Sequence, residues 1–228
     1  MLNPIEHVFF DLDHTLWDFD RNSKLAFERM FRIYGISVTL DAFLEIYEPI
    51  NFQYWKLYRE EQITKQELRR GRFLDAFGCF GMHFDVEILD AMAKSYIDEL
   101  PKDNHLFDGV LEILEYLFPK YQLHIITNGF EEVQHLKLKN SGIDRFFSTV
   151  TTSEEVGLKK PNPVIFQKAL QKANTIPSKS LMVGDTFEAD ILGAEAVGMQ
   201  TLYFNYRKED IPLQYLKIDC ILELKKHL

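Results

Sequence analysis

His-Val-Phe-Phe at residues 7–10 runs straight into Asp11-Leu12-Asp13. A run this short, rich in branched and aromatic side chains, reads as a strand buried on both faces, as in a parallel sheet. The same texture returns further along the chain. LHII at 123–126 ends at Thr127, and LMV at 181–183 ends at Gly184-Asp185. TLYF from Thr201 and STVTT from Ser148 are weaker versions of it. Stretches with helical spacing lie between these runs, at 108–118, 131–140, 163–173 and 189–197. Strands alternating with helices of this length predict an α/β fold, a doubly wound parallel sheet.

A second texture occupies residues 20–100. Apolar residues there recur at helical spacing: Leu25, Phe27, Met30, Phe31 and Tyr34; Phe43, Ile46, Tyr47, Ile50 and Tyr54; Leu68, Phe73, Leu74 and Phe77; Ile88, Leu89, Met92, Tyr96 and Ile97. Four amphipathic helices fit this spacing. Gly35, Gly71, the Gly78–Gly81 pair and Pro101 punctuate them. The expected organisation is a core built from residues 1–19 and 101–228, with an all-helical insert at 20–100.

Composition narrows the function. Hydrophobic residues make up 46% of the 228 and charged residues 27%, an ordinary globular balance. The formal net charge of −9 repels a nucleic-acid backbone, so no polynucleotide partner is expected. A small anionic substrate is compatible with it, because cations and helix N-termini can reverse the field inside one cleft. No apolar run approaches the roughly 18 residues that span a bilayer, and the N-terminus lacks a signal-peptide plan. Cys79 and Cys220 show neither metal nor disulfide spacing, and each is expected to be a buried structural residue. A cytoplasmic protein of undetermined oligomeric state follows.

In an open parallel sheet, ligands bind beyond the carboxyl ends of the strands. The residues just after the apolar runs should therefore converge: Asp11 and Asp13, Thr127 and Asn128, and Asp185. Lys160 joins them from a loop. Two carboxylates side by side raise each other's pKa unless a cation sits between them. Magnesium takes hard oxygen ligands and keeps some of its own waters, and Asp11, Asp13 and Asp185 could hold it. Lys160 and Thr127 could neutralise charge developing on a phosphoryl group. Each residue alone also has an ordinary reading: Asp185 as a helix N-cap, Lys160 as a solvated cation, Thr127-Asn128-Gly129 as a plain loop.

Taken in order, FFDLDHTLWDF (9–19), ITNG (126–129), GLKKPNP (157–163) and VGDTFEAD (183–190) resemble the four motifs of the haloacid-dehalogenase-like hydrolase superfamily. The insert resembles that family's first-type cap in position and size. The resemblance implies a Rossmann-like core and a phosphatase acting through an aspartyl-phosphate. By it, Asp11 is the nucleophile and Asp13 the general acid and base. Thr127 and the Asn128 backbone hold phosphoryl oxygens. Lys160 neutralises Asp11 and phosphate, and Asp190 supports Lys160 or a metal-bound water. Asp185 binds magnesium together with the Asp11 carboxylate and the Asp13 carbonyl. An acid two residues after the nucleophile is the phosphatase and phosphomutase choice within the family, and dehalogenases lack it. His14 reads as a turn residue.

A narrower resemblance, to the YjjG-type pyrimidine nucleotidases, rests on IITNGF (125–130), SEEVG (153–157), KPNPVIF (160–166), LMVGDTFEADILG (181–193) and ITKQELRRGRF (63–73). It implies a nucleoside monophosphate as substrate. The alternatives are a sugar-phosphate phosphatase or phosphomutase of the same fold, and a non-enzymatic binding module. Phe43, Tyr47, Phe52, Tyr54, Trp55 and Tyr58 are expected to pack the insert's core, with base stacking as the alternative. Trp17 and Phe19 are candidates for lining the entrance. Arg69, Arg70 and Arg72 are expected on a solvated helix face, with a substrate contact by Arg72 as the alternative.

Overall fold

A computed structural model describes residues 4–228. The chain divides into two compact units, one made of Asn104–Leu228 with the segment ending at Asp20, the other of Arg21–Asp103.

The first unit is built on a six-stranded sheet in the order β3-β2-β1-β4-β5-β6, with every pairing parallel. The strands are β1 (His7–Phe10), β2 (Gln122–Thr127), β3 (Phe147–Thr152), β4 (Ser180–Gly184), β5 (Gln200–Phe204) and β6 (Lys217–Ile218). All five expected strands are present. The two-residue β6 is too short to leave a sequence signal. β1 is central and is buried on both faces: Phe9 packs with Ile126, Phe166, Met182 and Met199 in one cluster, and Val8 and Phe10 are also fully buried. Its register, Phe10 opposite Ile125 on one side and Val183 on the other, ends three strands within two residues of one another. The chain order reverses at β1, so Asp11, Thr127 and Asp185 emerge around one crevice.

The expected helices at 108–118, 131–140 and 163–173 form as α5 (Val110–Leu117), α6 (Glu131–Asn140) and α8 (Pro163–Lys172), with a short α7 (Ser153–Val156) before the last. Asn162 caps α8 by accepting the Val164 N–H, and Pro163 occupies the first turn, where its missing N–H costs nothing. The stretch at 189–197 differs from expectation. It opens as a π-helical turn, Phe187–Leu192, and only Gly193–Glu195 is α-helical. The wider turn begins directly after β4 and carries Asp190.

The second unit holds the four expected helices, with α1 beginning at its border: α1 (Phe19–Tyr34), α2 (Leu40–Arg59), α3 (Lys65–Gly78) and α4 (Val86–Glu99). A capping box starts α3, with Thr64 Oγ1 accepting the Glu67 N–H while Glu67 accepts the Thr64 N–H. Phe27, Phe43, Tyr47, Phe73, Phe77 and Tyr96 form its aromatic core. Phe43, Tyr47 and Tyr58 pack as expected, but Phe52 is 61% exposed, because it falls on the outer face of α2.

Two further expectations are overturned. Arg70 is on the surface, paired with Asp90, whereas Arg72 is 1% exposed. Its guanidinium lies over the rings of Tyr96, Phe73 and Tyr47 and donates to Asn51 Oδ1 at 2.8 Å. The helical turn that separates positions 70 and 72 points them to opposite sides. Both cysteines are exposed free thiols, because Cys79 follows the end of α3 and Cys220 the end of β6, not an apolar face.

Candidate active site

Asp11 continues the β1 ladder, donating its N–H to the Val183 carbonyl at 2.9 Å. Its side chain is buried against Lys160, whose Nζ donates to Asp11 Oδ1 at 2.6 Å, Asp190 Oδ1 at 2.6 Å and the Ile126 carbonyl at 2.8 Å. Asn128 fixes that lysine from behind. Its Oδ1 accepts the Lys160 backbone N–H at 2.8 Å, and its Nδ2 donates to the Lys160 carbonyl at 3.0 Å. The Asn128 side chain therefore has a task that its sequence position did not announce.

Carboxylate oxygens of Asp11, Asp185 and Asp190 lie within 4.8 Å of one another, all buried. Burial raises the Asp11 pKa, Lys160 opposes this, and Asp190 adds to it; the net effect is a rise to about 7. Burial and the charges of Asp11 and Asp190 likewise push Asp185 well above the carboxylate range, against Arg207 and Lys160. Burial disfavours the charge on Lys160, and Asp11 and Asp190 more than offset it, so its pKa is raised. One lysine thus faces more negative charge than it can balance. Asp190 has both oxygens engaged, Oδ1 by Lys160 and Oδ2 by the Thr186 N–H at 3.0 Å. Gly184 makes this approach possible, since a Cβ there would sit 2.3 Å from Asp190 Oδ2.

Asp13 is held by a different set of partners. Lys137 Nζ donates to its Oδ1 at 2.6 Å, and Gln134 Nε2 donates to its Oδ2 at 3.0 Å. Gln134 Nε2 also donates to Thr127 Oγ1 at 2.7 Å, and the Gly129 N–H donates to the same oxygen at 3.1 Å. Both acceptor sites of the Thr127 hydroxyl are thereby used, leaving its own proton to be given. Burial lowers the Lys137 pKa, against the charges of Asp13 and Asp11. Trp17, expected near an entrance, is instead fully buried with Lys137 Nζ 4.3 Å from its ring centre. A cation on its face and Phe19 at its edge account for that burial.

A third group flanks Asp185. Arg207 Nη1 donates to Asp185 Oδ2 at 3.2 Å, and Thr15 Oγ1 approaches Oδ1 at 3.4 Å. Arg207 Nη2 lies 3.0 Å from His14 Nδ1, and the Tyr206 hydroxyl lies 2.8 Å from the same atom. An arginine only donates, so His14 Nδ1 is an acceptor and the ring proton sits on Nε2. Burial, then the charges of Arg207 and Lys137, hold the His14 pKa well below its ordinary value. His14 is a turn residue as expected, at φ 63°, and it also anchors Arg207.

The structure therefore gathers Asp11, Thr127, Asn128, Lys160, Asp185 and Asp190 at the strand ends, with Asp13 beside them. Sequence reasoning missed Gln134, Lys137, Tyr206 and Arg207. Arg207 was within reach of the strand-end rule, since it follows β5 by three residues. Gln134 and Lys137 share one face of α6 at a spacing of three, but nothing in their own chemistry separates them from surface residues.

Comparison with known proteins places the chain in a family. Residues 8–204 match the haloacid dehalogenase-like hydrolase family. The pyrimidine 5′-nucleotidase YjjG of Escherichia coli (strain K12) is 34% identical over 206 residues, 90% of this chain and 88% of that protein. A glyceraldehyde 3-phosphate phosphatase of Methanothermobacter thermautotrophicus is 32% identical over 234 residues, 98% of this chain and 100% of that one. The crystal structure of YfnB from Bacillus subtilis, bound to magnesium, superposes with a TM-score of 0.90 at 28% identity, covering 99% of each chain. With residues 8–204 matched, and with relatives of 32–34% identity covered over most of their length, the chain belongs to the haloacid dehalogenase-like hydrolases.

Proposed function

We propose that the protein is a magnesium-dependent phosphomonoester hydrolase that passes through an aspartyl-phosphate on Asp11, with pyrimidine nucleoside monophosphates as preferred substrates. The observation that carries this reading is the buried Asp11 carboxylate, held on one oxygen by Lys160, with Asp185 beside it and Asp13 two residues on. The donor set suits magnesium. Lys160 holds Asp11 through Oδ1, and the Asp185 carboxylate lies within 4.8 Å of it, so Asp11 and Asp185, with the Asp13 carbonyl, would supply hard oxygen ligands. A magnesium ion held there would offset the excess carboxylate charge and that of the phosphoryl group.

In the first step a carboxylate oxygen of Asp11 bonds to phosphorus, the ester P–O bond breaks, and Asp13 gives its proton to the departing oxygen. In the second, Asp13 takes a proton from water, the water oxygen bonds to phosphorus, and the acyl-phosphate P–O bond breaks. Inorganic phosphate leaves and Asp13 is again protonated. Lys160 and the Thr127 hydroxyl donate to phosphoryl oxygens throughout. These residues touch only what all phosphomonoesters share, so we assign choice of leaving group to the helical insert. We assign the work to the cytoplasm, where two free thiols stay reduced.

The pyrimidine preference is supported by the narrower motif resemblance and by YjjG. A second reading, a sugar-phosphate substrate, is favoured by the end-to-end match to the glyceraldehyde 3-phosphate phosphatase. Phosphate release across nucleotides and sugar phosphates, with and without magnesium, tests both. Uridine and thymidine monophosphates should exceed purine nucleotides and sugar phosphates by tens- to hundreds-fold in kcat/KM, about 1–3 kcal/mol. Asp11→Asn should lose more than ~100-fold, about 3 kcal/mol of barrier. Turnover by that variant near the wild-type rate defeats the mechanism. A preference for a sugar phosphate defeats only the nucleotide assignment.

A further inference from the structure

We infer that Gln134 and Lys137 are positioning residues of the reaction, which together aim the Asp13 carboxylate and the Thr127 hydroxyl at the leaving group and the phosphoryl group. The inference rests on the aspartyl-phosphate reading above. Neither residue belongs to the four motifs, and both are almost completely buried, at 0% and 2% exposure. They stand three apart on α6, so both reach toward the loop after β1.

Each of the two Asp13 oxygens has one fixed donor, Lys137 Nζ at 2.6 Å and Gln134 Nε2 at 3.0 Å. A carboxylate held at both ends cannot rotate about its terminal torsion, which is otherwise broad. Gln134 Nε2 reaches Thr127 Oγ1 as well, so one amide nitrogen couples the acid–base group to the phosphoryl donor. The amide orientation follows from the ionised form that Asp13 has between its two proton transfers, which only accepts. Gly129 leaves room for it: a Cβ there would be 2.3 Å from Gln134 Nε2. Lys137 is pinned in turn over the faces of Trp17 at 4.3 Å and Phe19 at 5.2 Å.

A purely structural tether would not need this arrangement. Gln134 Oε1 is buried and finds no hydrogen-bond partner among the described residues. A lone buried acceptor is destabilising, and an apolar side chain at position 134 would avoid it. The gain is rather in geometry. Losing an aim of this kind removes rate without removing the group that reacts.

Leaving-group dependence separates the two accounts. An alkoxide leaving from a nucleoside monophosphate needs the Asp13 proton, and p-nitrophenolate hardly does. In Lys137→Met, kcat/KM should fall at least about tenfold for the nucleotide and less than about threefold for p-nitrophenyl phosphate, within the range that general acid catalysis supplies. Lys137→Arg should recover part of the loss. In an Asp13→Asn background, Lys137→Met should add little, since the group it aims is gone. Gln134→Met, which serves also if Lys137→Met folds poorly, should show the same selective loss together with weaker inhibition by inorganic phosphate, because Thr127 loses its anchor too. Equal losses on both substrates, or an undiminished effect of Lys137→Met in the Asp13→Asn background, overturn the inference. Asp11→Asn run alongside keeps the two readings apart. Turnover by Asp11→Asn sinks the mechanism itself. An inactive Asp11→Asn with an unselective Lys137→Met sinks only the positioning role.

Discussion

Replacing Lys160 by methionine removes one charge and keeps most of the volume. Its ammonium makes three contacts of 2.6–2.8 Å inside the core, two of them to carboxylates that are themselves buried. Removing one partner of a buried ion pair costs about 3–5 kcal/mol, because the remaining charge is left uncompensated. Here Asp11, Asp185 and Asp190 would share a space of 4.8 Å with no lysine among them. The loss has a pH signature. Asp11 already has its pKa raised to about 7 with Lys160 in place, by burial first and by its acidic neighbours. A carboxyl raised in the folded state binds its proton more readily there than in the unfolded chain, so its ionisation destabilises the fold as pH rises. Without Lys160 the effect extends to higher pH. We expect Lys160→Met to lose about 3–5 kcal/mol at pH 8, read as a fall in melting temperature of roughly 10 °C. The deficit should shrink steadily toward pH 5.5, where the carboxyls can protonate. Magnesium at a hundred times its dissociation constant should restore about 2.7 kcal/mol if the residual carboxylates bind it. The assay is thermal and guanidinium unfolding at several pH values, with chelator or with magnesium. A variant that melts within about 1 kcal/mol of wild type at pH 8 with chelator present refutes the reasoning, since the lysine would then be balancing nothing.

A second titration lies at the other end of the sheet. His124 Nδ1 is 2.8 Å from Thr149 Oγ1 and its Nε2 3.0 Å from His7 Nδ1, and burial, then the charge of His7, lowers its pKa to about 4. The unfolded chain binds the extra proton between about 4 and 6.5, so stability is full above pH 6.5 and falls with pH through that window, by about 3 kcal/mol in total; His124→Gln should flatten the urea-unfolding free energy between pH 5 and 7, and an unchanged slope contradicts the assignment. In the helical unit, Arg72 is buried with Nε and Nη2 making no hydrogen bond among the described residues, so Arg72→Met should leave stability unchanged or raise it by about 1–4 kcal/mol. A loss above about 3 kcal/mol would mean that the rings and Asn51 compensate its charge fully.

The sequence predicted the sheet because burial on both faces leaves an unbroken apolar run, and HVFF, LHII and LMV each end where a polar residue must begin. It predicted the helical unit because a sustained spacing of three and four has no other reading. It failed where the local pattern is ambiguous. The π-helical turn at 187–192 and an α-helix share nearly the same periodicity, and the wide turn is recognisable only from its hydrogen bonds. Arg69, Arg70 and Arg72 look alike in a row, yet Arg70 meets Asp90 at the surface and Arg72 meets three rings inside, a difference set by helix phase against neighbours far away in sequence. The cysteines were misjudged because average burial of a residue type says nothing about a position just beyond a helix or strand end.

The site divides along the same line. Of the groups proposed to act on phosphate or hold magnesium, Asp11, Asp13, Thr127, Asn128 and Asp185 sit within three residues of strand ends, where backbone direction alone brings them together, and a reader of the sequence can find them. The contacts that aim them cannot be read that way. Asn128 fixes Lys160 across 32 residues, Gln134 and Lys137 fix Asp13 across more than 120, and Arg207 reaches Asp185 from the loop after β5. Each of these is an ordinary polar residue on a helix or loop until the fold supplies its partner. Their burial is what makes the difference, because an amide or ammonium is costly inside a protein unless its hydrogen bonds are made. Lys137 gives its ammonium to the Asp13 carboxylate at 2.6 Å. The energetics of the core and the aim of its reacting groups are therefore the same contacts, and a substitution chosen to weaken one is expected to report on the other.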